Sequence, residues 1–294
     1  KRMLGTVPVE EDGSVIFKAP ANTPISIQPL DKDGVAIQWM RSWVTGQPGE
    51  VVSCIGCHED QNQIAIPKRV IASQKAPSAL TLPEGGTRSF TFDLEVQPIL
   101  DRACIACHNG EGKAFDLRGG KKDKLGYGTS YLNLHPYVHR QGGEGDMVVL
   151  QPYEYHPNTS ELVRLLKKGH HNVKLTDKEW KTLYNWIDYN APDKGYFNAN
   201  VLTDLPYKGF DQIKRRKELT DKYANGAGVD WKKEIADYAD YLKKQGPITP
   251  VMPEKAAPVK EKTLKVKGWP FGADRIKEML AKEKETRKVV EIAP

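Results

Sequence analysis

The spacing of apolar residues changes along the chain and divides it into two kinds of secondary structure. In the first fifty residues, short runs rich in Val, Ile and Phe at 14–18, 25–30 and 35–40 are separated by turn residues. This pattern is typical of β-strands, and the segment Asp31 to Gly34 is predicted to be a turn between two of them. From about residue 90 onward, apolar residues recur with a period of 3.6, which predicts amphipathic helices.

Polar residues stand where several of these helices should begin or end. Thr176 followed three residues later by Glu179 has the pattern of a capping box before an amphipathic run. Ser160 is predicted to cap a shorter helix that Gly169 ends, and Asp230 is predicted to cap a later one. A mainly helical region is therefore expected after the β-rich start.

Two copies of the pattern Cys-x-x-Cys-His lie in the chain, and they use all four of its cysteines. This pattern is the attachment signature of c-type haem. The two thiols add across the haem vinyl groups, and the adjacent histidine binds the iron as an axial ligand. The sequence therefore predicts two covalently bound haem c groups, attached through Cys54 and Cys57 and through Cys104 and Cys107, with His58 and His108 as proximal ligands.

Two other uses of paired cysteines are a zinc ribbon and a redox-active dithiol. A zinc ribbon usually separates its Cys-x-x-Cys pairs by about 15–20 residues, whereas 46 residues lie between Cys57 and Cys104. Neither alternative explains a histidine directly after both pairs. Haem attachment is the interpretation that accounts for every cysteine.

The motifs and the apolar patterns together predict an α+β multidomain protein. We expect a β-rich domain at 1–50, a first haem-binding segment at 51–89 and a mainly α cytochrome c-like domain with the second haem at 90–200. A helical extension is expected at 201–245. A Pro- and Lys-rich linker with a terminal helix is expected at 246–294, giving a helical and extended C-terminal tail.

The sixth ligand of each iron decides its chemistry, because two strong axial ligands make an electron carrier and an open site makes a catalyst. For the second haem, His170 and His171 follow the predicted stop at Gly169 and precede the next helix. A ligand held between two helices is rigid enough to meet an iron. The competing interpretation is a surface histidine near a helix C-terminus.

The first haem has less clear candidates for its sixth ligand. His156 stands before a predicted helix, and His139 and His135 lie upstream in a Gly-rich region. We expect one of these three to serve, with His156 the first choice. A methionine, Met40 or Met147, or an open position remains as an alternative.

Charge and hydrophobicity limit the possible partners and location. The net charge of +6 is spread along helices and the tail, so a nucleic-acid interface is not expected. No run of about 18 apolar residues is present, so no transmembrane segment is expected. Because c-type haem is attached outside the cytoplasm, we expect a periplasmic or otherwise extracytoplasmic bacterial protein. It is interpreted as a mature or excised part of a longer chain, with redox proteins as partners.

The chain resembles two related groups of proteins. The stretch before Cys104, together with 160–166, 169–175 and 186–192, is similar to planctomycete-type cytochrome c domains. The region from Gly13 to Phe17, with 31–34 and the first haem motif, resembles the dihaem region of hydrazine synthase alpha-subunit-like proteins. The resemblance extends over roughly residues 7 to 200.

This resemblance implies a bis-histidine second haem, with His170 rather than His171 opposite His108. The resemblance also implies an unusual first haem. In the hydrazine synthase family that haem takes a tyrosine ligand shortly after the motif, and the motif histidine is diverted to zinc. The present chain departs from that pattern. Residues 59–75 contain no tyrosine, and Asn62 stands where a ligand is expected.

The leading functional prediction is a dihaem c-type cytochrome that transfers electrons between periplasmic redox partners. The protein would hold two irons, exclude water from them and set their potentials through axial ligands and burial. The alternative is a catalytic haem enzyme, hydrazine synthase-like or acting on another small nitrogen or oxygen substrate, with an open iron at the first haem. Electron transfer is favoured over catalysis.

Overall fold

In the part of the chain that the computed structural model describes, the α-helices lie between residue 92 and residue 244. The structure describes residues 1–40, 42–55, 69–111, 114–124, 126–140, 152–154, 156–194, 212–223 and 230–253. In these parts the α-helices are α1 Phe92–Glu95, α2 Gln97–Ala103, α3 Thr129–Leu134, α4 His156–Thr159, α5 Glu161–Lys167, α6 Asp177–Asp188, α7 Gln212–Tyr223 and α8 Trp231–Lys244. Short 3₁₀ turns are formed by Ala72–Gln74, His135–Tyr137 and His170–Asn172.

The region predicted to be cytochrome c-like, referred to below as the cytochrome-like region, has its core between α1, α2 and α6. Phe92 and Val96 are fully buried, as are Trp186 and Ile187 on the apolar face of α6. The ring of Phe92 meets that of Trp186 edge to face, with 5.3 Å between ring centres. This packing fixes the end of α2, where the second haem motif begins.

The N-terminal segment is paired through single bridges rather than long strands. The bridges join Thr6 to Thr81, Arg2 to Ser89, Phe17 to Ser78, Ile25 to Val44 and Leu30 to Ala36. The turn predicted at Asp31–Gly34 is confirmed, since Gly34 N–H donates to the Asp31 carbonyl at 3.0 Å. The α+β class itself stays a prediction.

A buried carboxylate joins this segment to α6. The backbone N–H of Ala36 donates to Asp188 Oδ2 at 3.0 Å, and the side chain of Gln28 donates to the Asp188 carbonyl at 3.4 Å. Val35 and Ala36 are buried beside it. The β-bridged segment is thus packed directly on the cytochrome-like helices.

Helix α8 packs back onto the start of the cytochrome-like region. The Tyr238 hydroxyl donates to Glu95 Oε2 at 3.0 Å, and Arg88 pairs with the same carboxylate at 2.6 Å. The Arg88 guanidinium lies 3.3 Å from the Tyr238 ring centre. Residues 1–255 form one compact unit. The domain boundaries expected at 50, 89, 200 and 245 stay predictions.

All three predicted helix starts are confirmed, and a side-chain cap hydrogen bond forms at two of them. Thr176 and Glu179 form both hydrogen bonds of a capping box at α6, and Asp230 accepts from Lys233 N–H at the start of α8. Ser160 stands at the N-cap of α5, but its side chain makes no cap hydrogen bond. In the described part of the chain, no helix is long and apolar enough to cross a membrane.

Candidate haem sites

The second haem motif is a tight turn that continues α2. Cys104 N–H donates to the Leu100 carbonyl at 2.8 Å. The first cysteine of the motif is thus the C-cap residue of α2. Cys107 N–H and His108 N–H both donate to the Cys104 carbonyl, at 3.1 and 2.9 Å. A helical turn brings residues three and four apart onto one side. This conformation suits two sulphurs and an imidazole that must reach a single macrocycle.

A backbone carbonyl holds the ring of His108. Its Nδ1 lies 3.1 Å from the carbonyl oxygen of Phe115, and the Phe115 ring is 4.7 Å away between centres. Because a carbonyl only accepts, Nδ1 carries the proton and Nε2 carries the lone pair. A second partner of this kind is what orients metal-binding histidines and fixes their tautomer.

His170 lies opposite His108 at the separation that an axial pair requires. Their ring centres are 6.1 Å apart, with 37° between ring planes. A metal–nitrogen bond of about 2.0 Å plus about 1.1 Å from nitrogen to ring centre puts two trans imidazoles about 6.2 Å apart. His108 and His170 therefore have the spacing that would suit an iron held by two histidines. They are 62 positions apart in the chain.

The loop that carries His170 has an unusual backbone. Gly169 adopts φ of 89°, and His171 and Asn172 also have positive φ, at 45° and 60°. Such conformations cost about 1–3 kcal/mol each outside glycine and are kept only where the surroundings impose them. Burial, then the nearby His171 and His108, lowers the pKa of His170. The lowered pKa favours the neutral ring, which is the form that binds a metal.

Cys104 of the second motif does not have the character of a reactive redox thiol. Burial raises the pKa of the Cys104 thiol to about 12, whereas reactive thiols have lowered pKa values. Neither Cys104 nor Cys107 is in a disulfide. Among the described residues, no three His, Cys, Asp or Glu side chains gather as a metal-ion cluster.

A cavity of about 220 Å³ opens beside the second motif. It is lined by Ala103, which precedes Cys104, by Asn172 and Val173, which follow His170, and by Met252. The last of these lies on a segment joined to α2 by a hydrogen bond from Val251 N–H to the Arg102 carbonyl at 2.7 Å. The C-terminal segment thus lines space next to the candidate site.

The first haem motif is only partly described. Cys54 and Ile55 are exposed, and Cys57, His58 and the alternative ligand Met147 lie outside the described residues. Apolar side chains near Cys54 in sequence are also exposed: Val51 to 89%, Ile55 to 62% and Trp43 to 67%. A group attached at Cys54 would have apolar surface to cover.

The structure brings two of the three candidate ligands for the first haem together. The ring centres of His139 and His156 are 5.9 Å apart, with 73° between planes. His156 is 2% exposed, and the ring of Trp39 meets it edge to face at 5.2 Å. His135 contacts the Tyr131 ring instead. The pairing was missed in the sequence because 16 residues separate the two histidines.

Comparison with known proteins gives one match. The family model for the hydrazine synthase alpha subunit middle domain matches residues 1–59. No curated protein and no solved structure matches the chain. The matched region contains the β-bridged segment and the whole first haem motif, while the paired histidines of the second site lie outside it. The resemblance to hydrazine synthase alpha-subunit proteins is therefore supported over residues 1–59.

Proposed function

We propose that this protein is a dihaem c-type cytochrome that transfers electrons between periplasmic redox partners. The proposal depends on one observation. The ring of His108, the histidine of the second Cys-x-x-Cys-His motif, is 6.1 Å from the ring of His170 between centres. A haem c bound there supplies a one-electron iron couple. Cys104 and Cys107 are the attachment residues of this haem, and Cys54 and Cys57 are those of the other.

The residues around the second site suit electron transfer rather than catalysis. Phe115 holds one imidazole through its carbonyl, and the loop from Gly169 holds the other, so His108 and His170 would together hold an iron. An iron with two strong ligands would have no place for a substrate. Burial lowers the pKa of His170, which favours the neutral ring that binds iron.

A second candidate function is catalysis at the first haem. The match to the hydrazine synthase alpha subunit middle domain includes His58, so the family resemblance extends to this motif and favours a haem enzyme. In that case His58 binds one side of the iron and the other side stays open to a small nitrogen or oxygen substrate. A sixth ligand from His156, His139, His135 or Met40 would instead make it a second electron carrier.

Low-temperature electron paramagnetic resonance of the ferric protein distinguishes the two functions. Haem content is measured on the same sample as the pyridine haemochrome. Two low-spin signals for two haems support electron transfer at both sites. One low-spin and one high-spin signal support the enzyme. A haem content below two overturns the dihaem proposal itself.

The His170→Ala variant tests the assignment of the second site. We expect one low-spin signal to be replaced by a high-spin signal, because His108 would be the only remaining axial ligand. His171→Ala is the matched control, since it removes the neighbouring ring and should leave the spectrum unchanged. If the two variants give the opposite results, His171 is the ligand. If neither changes the spectrum, the axial pair is wrong.

A further inference from the structure

We propose that His139 and His156 bind a transition-metal ion that prefers imidazole ligands, namely Zn²⁺ or Cu²⁺. This inference goes beyond the proposed haem function, because it concerns two histidines outside both haem motifs. It starts from the 5.9 Å separation of their ring centres and from the buried scaffold that holds them.

The separation lies within the range for two imidazoles on one ion. With metal–nitrogen bonds of about 2.0 Å and about 1.1 Å from nitrogen to ring centre, the centres are about 5.1 Å apart at a tetrahedral angle. They are about 6.2 Å apart when the two nitrogens are trans. The observed 5.9 Å falls between these limits, so the spacing of the ring centres matches two imidazoles on one ion.

One buried hydroxyl ties the two histidine backbones together. The backbone N–H of His139 donates to Ser160 Oγ at 2.9 Å, and that hydroxyl donates to the His156 carbonyl at 2.6 Å. Ser160 is completely buried. The backbones that carry the two rings are therefore held relative to each other before any ion binds, which is the preorganisation that metal sites need.

A second hydroxyl holds the ring of His139. Thr159 Oγ1 is hydrogen-bonded to His139 Nδ1 and lies 3.3 Å from the His156 carbonyl. In the tautomer with the proton on Nδ1, the hydroxyl accepts that proton and the lone pair is on His139 Nε2. This is the usual state of a histidine that binds a metal. The ring of Trp39 meets that of His156 edge to face.

The same contacts show why the ligand is an ion rather than a haem. Thr159 and Ser160 lie just after His156 in the chain, and both contact His139 directly. A macrocycle between the two rings would extend well past their edges and would have to break these contacts. A single ion lies between the rings without displacing either hydroxyl. In this arrangement His156 is not the sixth ligand of the first haem.

The donor set selects the class of ion. Two imidazoles suit Zn²⁺ and Cu²⁺, whereas Ca²⁺ and Mg²⁺ require oxygen ligands. Among the described residues no third His, Cys, Asp or Glu side chain joins the pair in a cluster. Water then completes the coordination, so the ion should exchange and should be removed by a chelator.

Equilibrium dialysis of the holoprotein against Zn²⁺ tests the proposal. The protein is first treated with a chelator, and bound zinc and iron are then counted by mass spectrometry, with iron reporting haem. We expect one Zn²⁺ per chain beyond the iron, with His139→Gln lowering the affinity at least tenfold. Thr159→Val keeps both histidines and should lower the affinity about tenfold through loss of the hydrogen bond to His139 Nδ1.

The control is His171→Gln, which removes an exposed histidine and should leave zinc binding unchanged. The proposal is overturned if the wild-type protein binds no zinc, or if His139→Gln binds it as tightly as the wild type. It is also overturned if His139→Gln changes the spin state of a haem, because His139 would then be an iron ligand. Zinc and iron are counted separately, so failure of this site is distinguishable from failure of the dihaem proposal.

Discussion

Asp188 shows how one residue links the N-terminal segment to the cytochrome-like helices. Its side chain is buried at the end of α6 and accepts the N–H of Ala36. Burial, opposed in part by this hydrogen bond and assisted by the charge of Asp31, raises the pKa of Asp188 to about 7. An acid with a raised pKa binds its proton more tightly in the folded state than in the unfolded one.

The stability of the protein should therefore contain a pH-dependent contribution from Asp188. Below the unfolded pKa of about 4 the carboxyl is protonated in both states, and the contribution is fully present. As the pH rises from about 4 to about 7, the unfolded chain ionises first and the free energy of unfolding falls, by on the order of 4 kcal/mol. Asp188→Asn should remove this loss and be more stable than the wild type at pH 8.

Urea unfolding of the holoprotein at pH 5 and pH 8 measures the effect. Asp33→Asn is the matched control, because that carboxyl is exposed on the turn beside Lys32, and its difference from the wild type should be small at both pH values. A difference between Asp188→Asn and the wild type that does not change with pH would show that Asp188 titrates normally.

At the scale of single residues, the sequence predicts what local motifs define and misses what tertiary contacts create. The Cys-x-x-Cys-His pattern placed His108, and the stop at Gly169 with the family resemblance placed His170 as its partner. The pair of His139 and His156 has no such pattern, since it depends on Ser160, which lies between α4 and α5 and hydrogen-bonds both backbones. The pKa of Asp188 is likewise set by burial that periodicity does not show.

At the scale of elements, α6 is the helix that the sequence predicts best, because its start is defined by a local motif. Thr176 and Glu179 satisfy each other's backbone N–H groups. Glu179 also forms an ion pair with Arg102, which lies near the end of α2, two positions before Cys104. The cap therefore contributes to holding the second haem motif as well as to starting a helix.

Thr176→Ala should lower the free energy of unfolding by about 1 kcal/mol, the usual value of a lost N-cap. Glu179→Ala should cost more, because it removes both the reciprocal cap and the partner of Arg102. Thr182→Ala is the matched control inside the same helix. Its hydroxyl bonds only the Lys178 carbonyl, so a near-zero change is expected. If urea unfolding shows the same decrease in the free energy of unfolding for all three variants, the cap does not stabilise the protein more than an ordinary side-chain hydrogen bond in the helix.

The elements that the sequence predicts least well are those without local caps. The apolar runs at 25–30 and 35–40 form only the single bridges Ile25–Val44 and Leu30–Ala36. Short strands gain little from their own hydrogen bonds and depend on packing. Here the packing is against α6 rather than against a second sheet, and alternation of apolar residues does not distinguish these two cases.

At the scale of the whole molecule, distant parts of the chain close around the cytochrome-like helices. Tyr238 of α8 and Arg88 both contact the buried Glu95 of α1, and Arg2 pairs with Glu234 of α8. The contact of Arg2 with Glu234 joins residues 232 positions apart, and that of Tyr238 with Glu95 joins residues 143 positions apart. They could not be derived from periodicity, which shows that α8 has an apolar face and not where that face packs.

The same closure predicts that haem attachment and folding are linked. The cysteines Cys54, Cys104 and Cys107 form no disulfide, so no cross-link limits the unfolded chain. The backbone of His171 and Asn172 is held in a costly conformation. A haem attached at Cys104 and Cys107 would stay attached when the chain unfolds, but a bond from its iron to His170 requires the folded loop. That bond would balance the backbone cost and stabilise the folded state.

Replacing Cys104 and Cys107 by Ser should therefore lower the haem content from two to one. It should also lower the free energy of unfolding, because the iron bond that would hold the loop of His170 is lost. Replacing Cys54 and Cys57 by Ser removes the other haem. It should cost less if the haem there is bound mainly by exposed side chains such as Ile55 and Trp43. Pyridine haemochrome and urea unfolding on the same samples measure both quantities. Unchanged stability in the first variant, with one haem lost, would mean that the loop of His170 is held by its protein contacts alone.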